Sequence, residues 1–506
     1  MICVSIACGS HKRMITEHQS LADDGVRLVE LRLDYLRKPP ELSRLLPDRP
    51  TSVIATARRA QDGGKWRESE DKRLTVLRAA IASSVEFVDL EVDIANQVPR
   101  FGKTKRIISY HNLSTTPDNL ATLYNEMVKC DPDIIKIAVM PRNIKDVFDV
   151  MHFTEKMNRQ NPSTPMIGIC MGEIGVVSRI LAKKFGSPFT YATFSESRVI
   201  MPGLLEYSKL RDFYRFEEIN RDTDVFGVIG DPIEHSLSPL VHNAAFAAED
   251  LNCVYIPLRV SPDDLKTFAT EAQSVDIRGV SVTIPHKVAI VDELTQLDPA
   301  VEEIGACNTV IFDGHERHGY NTDYVAAILS MEIAMGGTGI AETSPIIGKK
   351  VLILGAGGVG KAVAYGLLQR QAKVSVTDMD DARAQSLSEQ LGCEFVEWDA
   401  RHTMQPNILV NCTPVGMFPK MDETPYDKSA ITQSTVVFDA VYNPENTLLL
   451  KNAKSKGCVT VSGMEMFIGQ ACMQFKLFTG SKGPAGLMRK LLRQAISAIH
   501  DIDEDE

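Results

Sequence analysis

Asp133-Ile-Ile-Lys136-Ile-Ala-Val139 places an ammonium in the middle of an apolar run. If the run is a strand covered on both faces, Lys136 cannot simply point at water. A buried ammonium must be paired or give up its proton, and a neutral amine attacks carbonyl carbon. Two readings stand: a lysine ion-paired with a carboxylate in a barrel mouth, or a Schiff-base nucleophile. His111, closing Ser109-Tyr-His111, lies one run away. Its charge changes near neutral pH, so it suits a proton carrier, and it equally suits a structural histidine.

A second group of chemistry-bearing residues follows. Gly279-Val-Ser-Val-Thr283-Ile-Pro-His286-Lys287, Ile304-Gly-Ala-Cys-Asn308 and Gly319-Tyr-Asn321-Thr-Asp323 supply a lysine and an aspartate. In one pocket that pair moves a proton to or from an alcohol as a hydride transfers; on a surface it is an ordinary ion pair. Ser236 and Ser238, two apart at a helix start, suit either a carboxylate or an N-cap. Val351-Leu-Ile-Leu-Gly355-Ala-Gly357-Gly358-Val-Gly360 then reads as strand, G-x-G-x-x-G turn and helix. Gly355 makes the turn, Gly357 admits a pyrophosphate to the backbone, and Gly360 lets helix and strand pack closely. The phosphates belong on the helix N-terminus. A second strand ends in Asp378, where a ribose-binding acid belongs.

The elements that must position these groups are legible at coarse grain. Eight apolar runs, at 2–7, 26–33, 52–55, 87–92, 106–110, 134–139, 166–170 and 189–193, alternate with helical stretches. That pattern predicts a (β/α)8 barrel, with chemistry at the C-terminal strand ends. Glu30, Arg32, Asp34, Arg58, Asp89, Glu91, His111 and Arg179 fall at such ends. The charged stretch from Lys209 to Asn220 reads as the last barrel helix entering a linker. At 506 residues about three domains are expected, and the net charge of −11 argues against nonspecific nucleic-acid binding. No apolar run is long enough to span a membrane. The N-terminus enters a strand without a signal-peptide layout. Ten scattered cysteines without C-x-x-C predict reduced thiols, no metal site and a cytoplasmic protein.

Glu30-Leu-Arg32-Leu-Asp34, Thr56-Ala-Arg58 with Gly63-Gly64, Ser109-Tyr-His111, Lys136 and Ser178-Arg179 form an ordered set. It resembles the type I 3-dehydroquinate dehydratases over nearly all of the first ~215 residues. The resemblance implies that Lys136 forms an imine with the substrate ketone and that His111 removes the C2 proton and assists loss of the C1 hydroxyl. It implies further that Arg179 and Arg58 hold the carboxylate, and that Glu30 and Arg32 position ring hydroxyls. From about 224 to 490, the clusters above resemble shikimate dehydrogenases. So do Asn411-Cys-Thr413-Pro-Val-Gly416, Asp439-Ala-Val-Tyr442 and Gly463-Met through Gln470. Here the resemblance implies Lys287 and Asp323 as the catalytic pair and Ser236 and Ser238 on the carboxylate. Thr283, Asn308 and Gln470 fall on ring hydroxyls with Tyr442 nearby, and Asn411, Thr413 and Gly463 lie beside the nicotinamide.

Three departures from those patterns stand out. Asp62 replaces a usual glutamate. Ile200-Met-Pro-Gly-Leu204 replaces a loop like Ser-x-Pro-Gly-Gln, removing two polar substrate contacts. After the second Rossmann strand, Asp378-Met379 stands where NADP-using members have an Asn-Arg-Thr-like turn, leaving Arg383 to favour phosphate. The family default is NADP(H); Asp378 and Met379 argue for NAD(H). The expected architecture is α/β: a (β/α)8 TIM barrel, 1–217, then a two-domain dehydrogenase-like module. Its parts are an α/β substrate domain, 224–325, a Rossmann domain, 326–470, and C-terminal helices returning to the substrate domain with an acidic tail, 471–506. The expected function is dehydration of 3-dehydroquinate followed by NAD(P)H reduction of 3-dehydroshikimate to shikimate. Its small-molecule substrates are those two compounds, with neither nucleic acid nor membrane as partner and the choice of monomer or homodimer open. The alternatives are catabolic quinate or shikimate oxidation, and a barrel that only senses metabolites.

Overall fold

The eight apolar runs become eight strands. In the computed structural model, which describes residues 1–234 and 236–503, they are β1 (Ile2–Ile6), β2 (Leu28–Arg32), β3 (Ser52–Thr56), β4 (Phe87–Glu91), β5 (Lys105–Asn112), β6 (Ile134–Val139), β7 (Met166–Cys170) and β8 (Thr190–Thr193). All pair in parallel, in the order β7-β6-β5-β4-β3-β2-β1-β8. Every residue of β1, β2, β6 and β7 is buried. Cover on both faces is why these strands read as mostly apolar runs instead of regularly alternating ones. Inside, Cys3, Leu28, Ile54, Ile107, Ile134, Ile167 and Phe189 join one apolar cluster. The polar ends of the strands lie beyond it.

The expected barrel closes almost completely. Among the described residues β7 and β8 share no ladder. The odd-numbered side of β7 serves β6: Ile135 N–H donates to Pro165 O at 3.0 Å and Met171 N–H to Val139 O at 2.8 Å. The even-numbered side faces the seam, and side chains answer it. Met166 N–H donates to Asn158 Oδ1 (2.6 Å), while Asn158 Nδ2 and Ser187 Oγ donate to Met166 O (3.0 and 3.2 Å). Cys170 N–H donates to Ser178 Oγ at 2.9 Å. These bonds satisfy buried backbone groups that a neighbouring strand would otherwise meet. The expected last barrel helix is a single five-residue π-helical turn, Lys209–Phe213. Arg215, in the left-handed region at φ 50°, stops it.

The chain divides into two units, Met1–Val225 with Asn252–Ile277, and Phe226–Leu251 with the chain from Arg278 onward. β9 (Asp224–Gly230) leads into the second unit, whereas β10 (Cys253–Arg259) and the helix Leu265–Glu271 belong to the first. There the Phe268 and Phe148 rings lie 6.2 Å apart.

In the second unit β11 (Ile277–Val282), β12 (Gln296–Leu297), β13 (Thr309–Asp313) and β14 (Glu316–Tyr320) follow β9 in the spatial order β9-β11-β13-β14-β12. A second sheet holds β15 (Lys350–Leu354), β16 (Lys373–Thr377), β17 (Glu394–Phe395), β18 (Ile408–Asn411), β19 (Val436–Asp439) and β20 (Thr460–Ser462). It is parallel throughout, in the order β17-β16-β15-β18-β19-β20. That is the Rossmann order 3-2-1-4-5-6, which leaves a ligand crevice where the order reverses, between β15 and β18. Helices Gly463–Thr479 and Ala485–Asp503 end the described chain. Phe475 returns to Phe246 of helix Ser238–Ala248, with ring centroids 5.4 Å apart. Of the acidic tail read at 501–506, residues 504–506 lie outside the described residues, as does His235 beside Ser236.

Candidate active sites

One pocket in the barrel collects all six residues expected there. Lys136, His111, Glu30, Arg32, Arg58 and Arg179 line it. Register explains the convergence: β5 and β6 pair Ser109 with Lys136 and His111 with Ala138, and alternate residues of a strand share a face. Lys136 Nζ donates to Asp89 Oδ2 in a close ion pair, so the paired reading of this lysine describes the structure. Asp89 Oδ1 also accepts from Arg58 Nη2 (2.7 Å) and Ser109 Oγ (2.6 Å). Glu30 accepts from Ser5 Oγ (2.6 Å) and Thr56 Oγ1 (2.8 Å), and Arg32 holds Asp34 through two bonds.

The two arginines expected on a carboxylate differ. Arg58 is engaged by Asp89 and by Glu91 Oε1 (3.0 Å), so it lines the pocket without a free fork. The same fork braces the two acids beside the pocket it lines. Arg179 is 2% exposed, its Nε meets no partner among the described residues, and its Nη2 faces Met201 Sδ at 3.9 Å. A buried guanidinium so placed is suited to an anionic ligand. Burial brings Arg179 down to about 10. Burial, then the charges of Arg58 and Lys136, push the His111 imidazole well below its usual range. Among the described residues His111 Nδ1 is buried and meets no partner, which leaves it available to take a proton. Burial by itself would raise the Asp89 carboxyl, but Arg58 and Lys136 together outweigh it and hold Asp89 far below the usual carboxylate range. Ile200, Met201 and Leu204 supply an apolar wall.

In the second unit Lys287 follows β11 and Asp323 opens the helix Asp323–Ala334. Their Nζ–Oδ2 distance is 2.6 Å, with side chains 15% and 6% exposed, so this is a sheltered pair and not a surface one. Asn308 fixes the approach to Asp323: its Oδ1 accepts from Thr322 N–H (2.8 Å) and its Nδ2 donates to Thr322 Oγ1 (2.9 Å). Gln474 Nε2 donates to Asn308 O at 3.1 Å, and Gln470 stands one turn earlier on that helix. Tyr442 lies against Phe467 at 4.8 Å. Ser238 is the first residue of its helix, with Ser236 just before it. Thr283 N–H is tied to Ile229 O at 3.0 Å.

The glycine loop lies against the Lys287 side chain. A Cβ on Gly358 would stand 3.1 Å from Lys287 Cβ. Gly355 has φ 101°, and helix Gly358–Gln369 starts three residues on. Asp378 Oδ2 accepts from Ala356 N–H (2.7 Å) and Oδ1 from Asp380 N–H (3.0 Å), binding the end of β16 to the loop. Arg383 faces Asp380 at 3.8 Å. Across the crevice, Asn411 Nδ2 donates to Asp439 Oδ1 (2.9 Å) and Asn411 Oδ1 accepts from Thr413 N–H (2.9 Å). Burial raises the Asp439 carboxyl to about 6, even though Thr447, Val441 and Asn411 all donate to it. Gly463 packs under Ala440, whose O would lie 2.4 Å from an added Cβ. Gly360→Ala would place a methyl 2.0 Å from Gly355 O. We expect at least about a tenfold rise in dinucleotide Kd, read by fluorescence titration, with the barrel reaction unchanged.

Sequence reasoning gave Asp89, Glu91, Ser109 and Tyr191 no roles. Tyr191 lines the pocket, and its hydroxyl lies 3.5 Å from Lys136 Nζ. The available signal for the two acids was Asp89-Leu-Glu91, two carboxylates at period two in a strand whose other residues are apolar.

Comparison with known proteins agrees with this geometry. Residues 2–221 match the family model for type I 3-dehydroquinase, and 228–310 the shikimate dehydrogenase substrate binding domain. Residues 463–493 match the shikimate 5'-dehydrogenase C-terminal domain, and 350–462 an NADP oxidoreductase, coenzyme F420-dependent, model. A chloroplastic bifunctional 3-dehydroquinate dehydratase/shikimate dehydrogenase of Arabidopsis thaliana is 37% identical, over 97% of this chain and 84% of that protein. A shikimate dehydrogenase (NADP(+)) of Desulforamulus reducens is 35% identical over 55% of this chain and 98% of its own. A crystal structure of a shikimate dehydrogenase with NADP+ superposes with TM-score 0.51 at 34% identity, covering 55% of this chain and 97% of that one.

Proposed function

Because the chain belongs to the bifunctional 3-dehydroquinate dehydratase/shikimate dehydrogenase family, we propose that Lys136, His111 and Arg179 carry its first reaction and Lys287 and Asp323 its second. The protein dehydrates 3-dehydroquinate to 3-dehydroshikimate and reduces that ketone to shikimate with a nicotinamide cofactor. The observation that carries the first assignment is one buried pocket holding Lys136, together with a His111 Nδ1 that has no partner and an Arg179 that has no carboxylate among the described residues.

In this reading the Lys136 amine adds to the C3 carbonyl and water leaves to give an imine. His111 takes the C2 proton, the electrons move into the imine as an enamine, and the C1 hydroxyl leaves as water with a proton from His111. Water then hydrolyses the imine and returns the amine, so one water is lost overall. Arg179 binds the substrate carboxylate, and Glu30 and Arg32 face its hydroxyls. In the second site the cofactor supplies the hydride when bound. Lys287 and Asp323 hold and pass the proton that the new alkoxide needs, Ser236 and Ser238 bind the carboxylate, and Thr283, Asn308 and Gln470 bind hydroxyls. Full-length protein given 3-dehydroquinate and reduced cofactor should accumulate shikimate. Accumulation of 3-dehydroshikimate without cofactor oxidation would contradict the second half.

The ribose end favours NAD(H) in this reading. Asp378 lies at the end of β16, Met379 is 72% exposed and carries no charge, and Arg383 already leans on Asp380. A 2′-phosphate would bring about two negative charges to that acid. We therefore expect kcat/KM to favour NADH over NADPH, and Asp378→Asn with Met379→Arg to reverse the ratio. A tenfold preference of the unaltered protein for NADPH would defeat the argument. No helix among the described residues is long and apolar enough to cross a membrane, and all ten cysteines are free thiols, which suits the cytoplasmic location we assign.

A further inference from the structure

Six charges of alternating sign run from an outer helix to the barrel lysine. Arg73, in helix Glu70–Ala82, is 0% exposed, though it lies outside the strand layer and does not line the pocket. Its Nε and Nη2 hold Glu70 (2.8 and 2.6 Å), and its Nη1 donates to Glu91 Oε2 (2.8 Å) and Ala57 O (2.7 Å). Glu91 Oε1 accepts from Arg58 Nη1 at 3.0 Å, Arg58 Nη2 donates to Asp89 Oδ1 at 2.7 Å, and Asp89 Oδ2 accepts from Lys136. We propose that Arg73 is a positioning residue for the dehydration. By occupying Glu91 it leaves Arg58 for Asp89, and so limits how tightly Asp89 holds the Lys136 ammonium. This rests on the assignment of Lys136 as the imine-forming lysine.

The physical reason is the cost of an unmet buried acceptor. Without Arg73, Glu91 Oε2 loses its charged donor where almost no water reaches. Arg58 is the neighbouring fork able to bind both Glu91 oxygens. As it turns toward Glu91 it leaves Asp89, whose charge then falls on Lys136. A more tightly held ammonium yields its proton only at higher pH. The groups facing Lys136 are Asp89 on β4, His111 on β5, Arg58 beyond β3, Glu30 on β2, Cys3 on β1 and Tyr191 on β8. Of these, Arg58 and Asp89 connect to Arg73 through Glu91. Glu70, at the outer end with its side chain 41% exposed, acts in the opposite sense. Neutralising it frees Arg73 for Glu91.

The test is the pH profile of dehydration kcat/KM in the full chain. Arg73→Met should move the acid limb up by about one unit, a loss of about tenfold below the limb that is regained at high pH. Arg73→Lys should restore part of the shift, and Glu70→Gln should move the limb down. A uniform loss at every pH, or an unmoved limb, overturns the proposal. If Arg73→Met does not fold, Glu70→Gln decides alone: a lower limb supports the proposal, and an unmoved or higher one overturns it. Borohydride trapping on the unaltered chain separates the two layers. An adduct on Lys136 with an unmoved limb defeats the Arg73 role alone, whereas no adduct defeats the imine assignment and this role with it.

Discussion

Borohydride added during turnover is expected to fix a substrate-derived adduct on Lys136, located by peptide mass spectrometry, and Lys136→Ala is expected to lose dehydration. The expected loss is on the order of 10⁴-fold or more, the range seen when a covalent nucleophile is removed from a concerted site. The variant should still fold. Asp89 would lose one cation but keep Arg58 and the Ser109 hydroxyl, so its charge is not left bare. A melting curve near that of the unaltered chain would verify this. Reduction of supplied 3-dehydroshikimate should be nearly unchanged, because Lys287, Asp323 and the glycine loop lie in the second unit. Full dehydratase activity in Lys136→Ala would sink the imine mechanism.

The hydride step should respond to the other pair. Lys287→Ala or Asp323→Ala should lower kcat for 3-dehydroshikimate reduction by roughly 10²–10⁴-fold, the contribution of a general acid–base. The 2.6 Å contact makes each residue the other's orienting partner. The double variant should therefore fall by much less than the product of the two single losses. Dinucleotide affinity should largely survive, since the loop glycines make their own turn and Gly358 touches Lys287 only through its aliphatic stem. Dehydration measured in the same samples gives an internal control. If the variants change cofactor affinity alone, the catalytic pair lies elsewhere.

Particular residues show how far the chain could be read without coordinates. Lys136 was visible because an ammonium breaks an otherwise apolar run, and the Rossmann loop was visible because glycines at fixed offsets answer a backbone requirement. Parallel strands were visible through their mostly apolar runs. What the pattern concealed is pairing at long range. Lys136 meets Asp89 across 47 positions and Arg58 meets Glu91 across 33, and no local period encodes which acid faces which base. Hence the pattern does not show that Arg58, expected on the substrate, also braces Asp89 and Glu91. The same blindness hid Arg73, a buried guanidinium in a helix rich in charged residues at its start.

Where β7 meets β8, Asn158, Ser178 and Ser187 hold the barrel edge in place of a ladder. A ladder is largely indifferent to mutation, since every residue but proline carries the same N–H and C=O. Three side chains are each one codon change from absence. This edge is also where Arg179 follows Ser178, and where Gly172 N–H, just past β7, bonds Pro202 O in the apolar loop at 3.0 Å. A change at the seam can thus reach the mouth of the pocket through side chains, while the charged floor from Asp89 to Lys136 rests on strands joined by ladders.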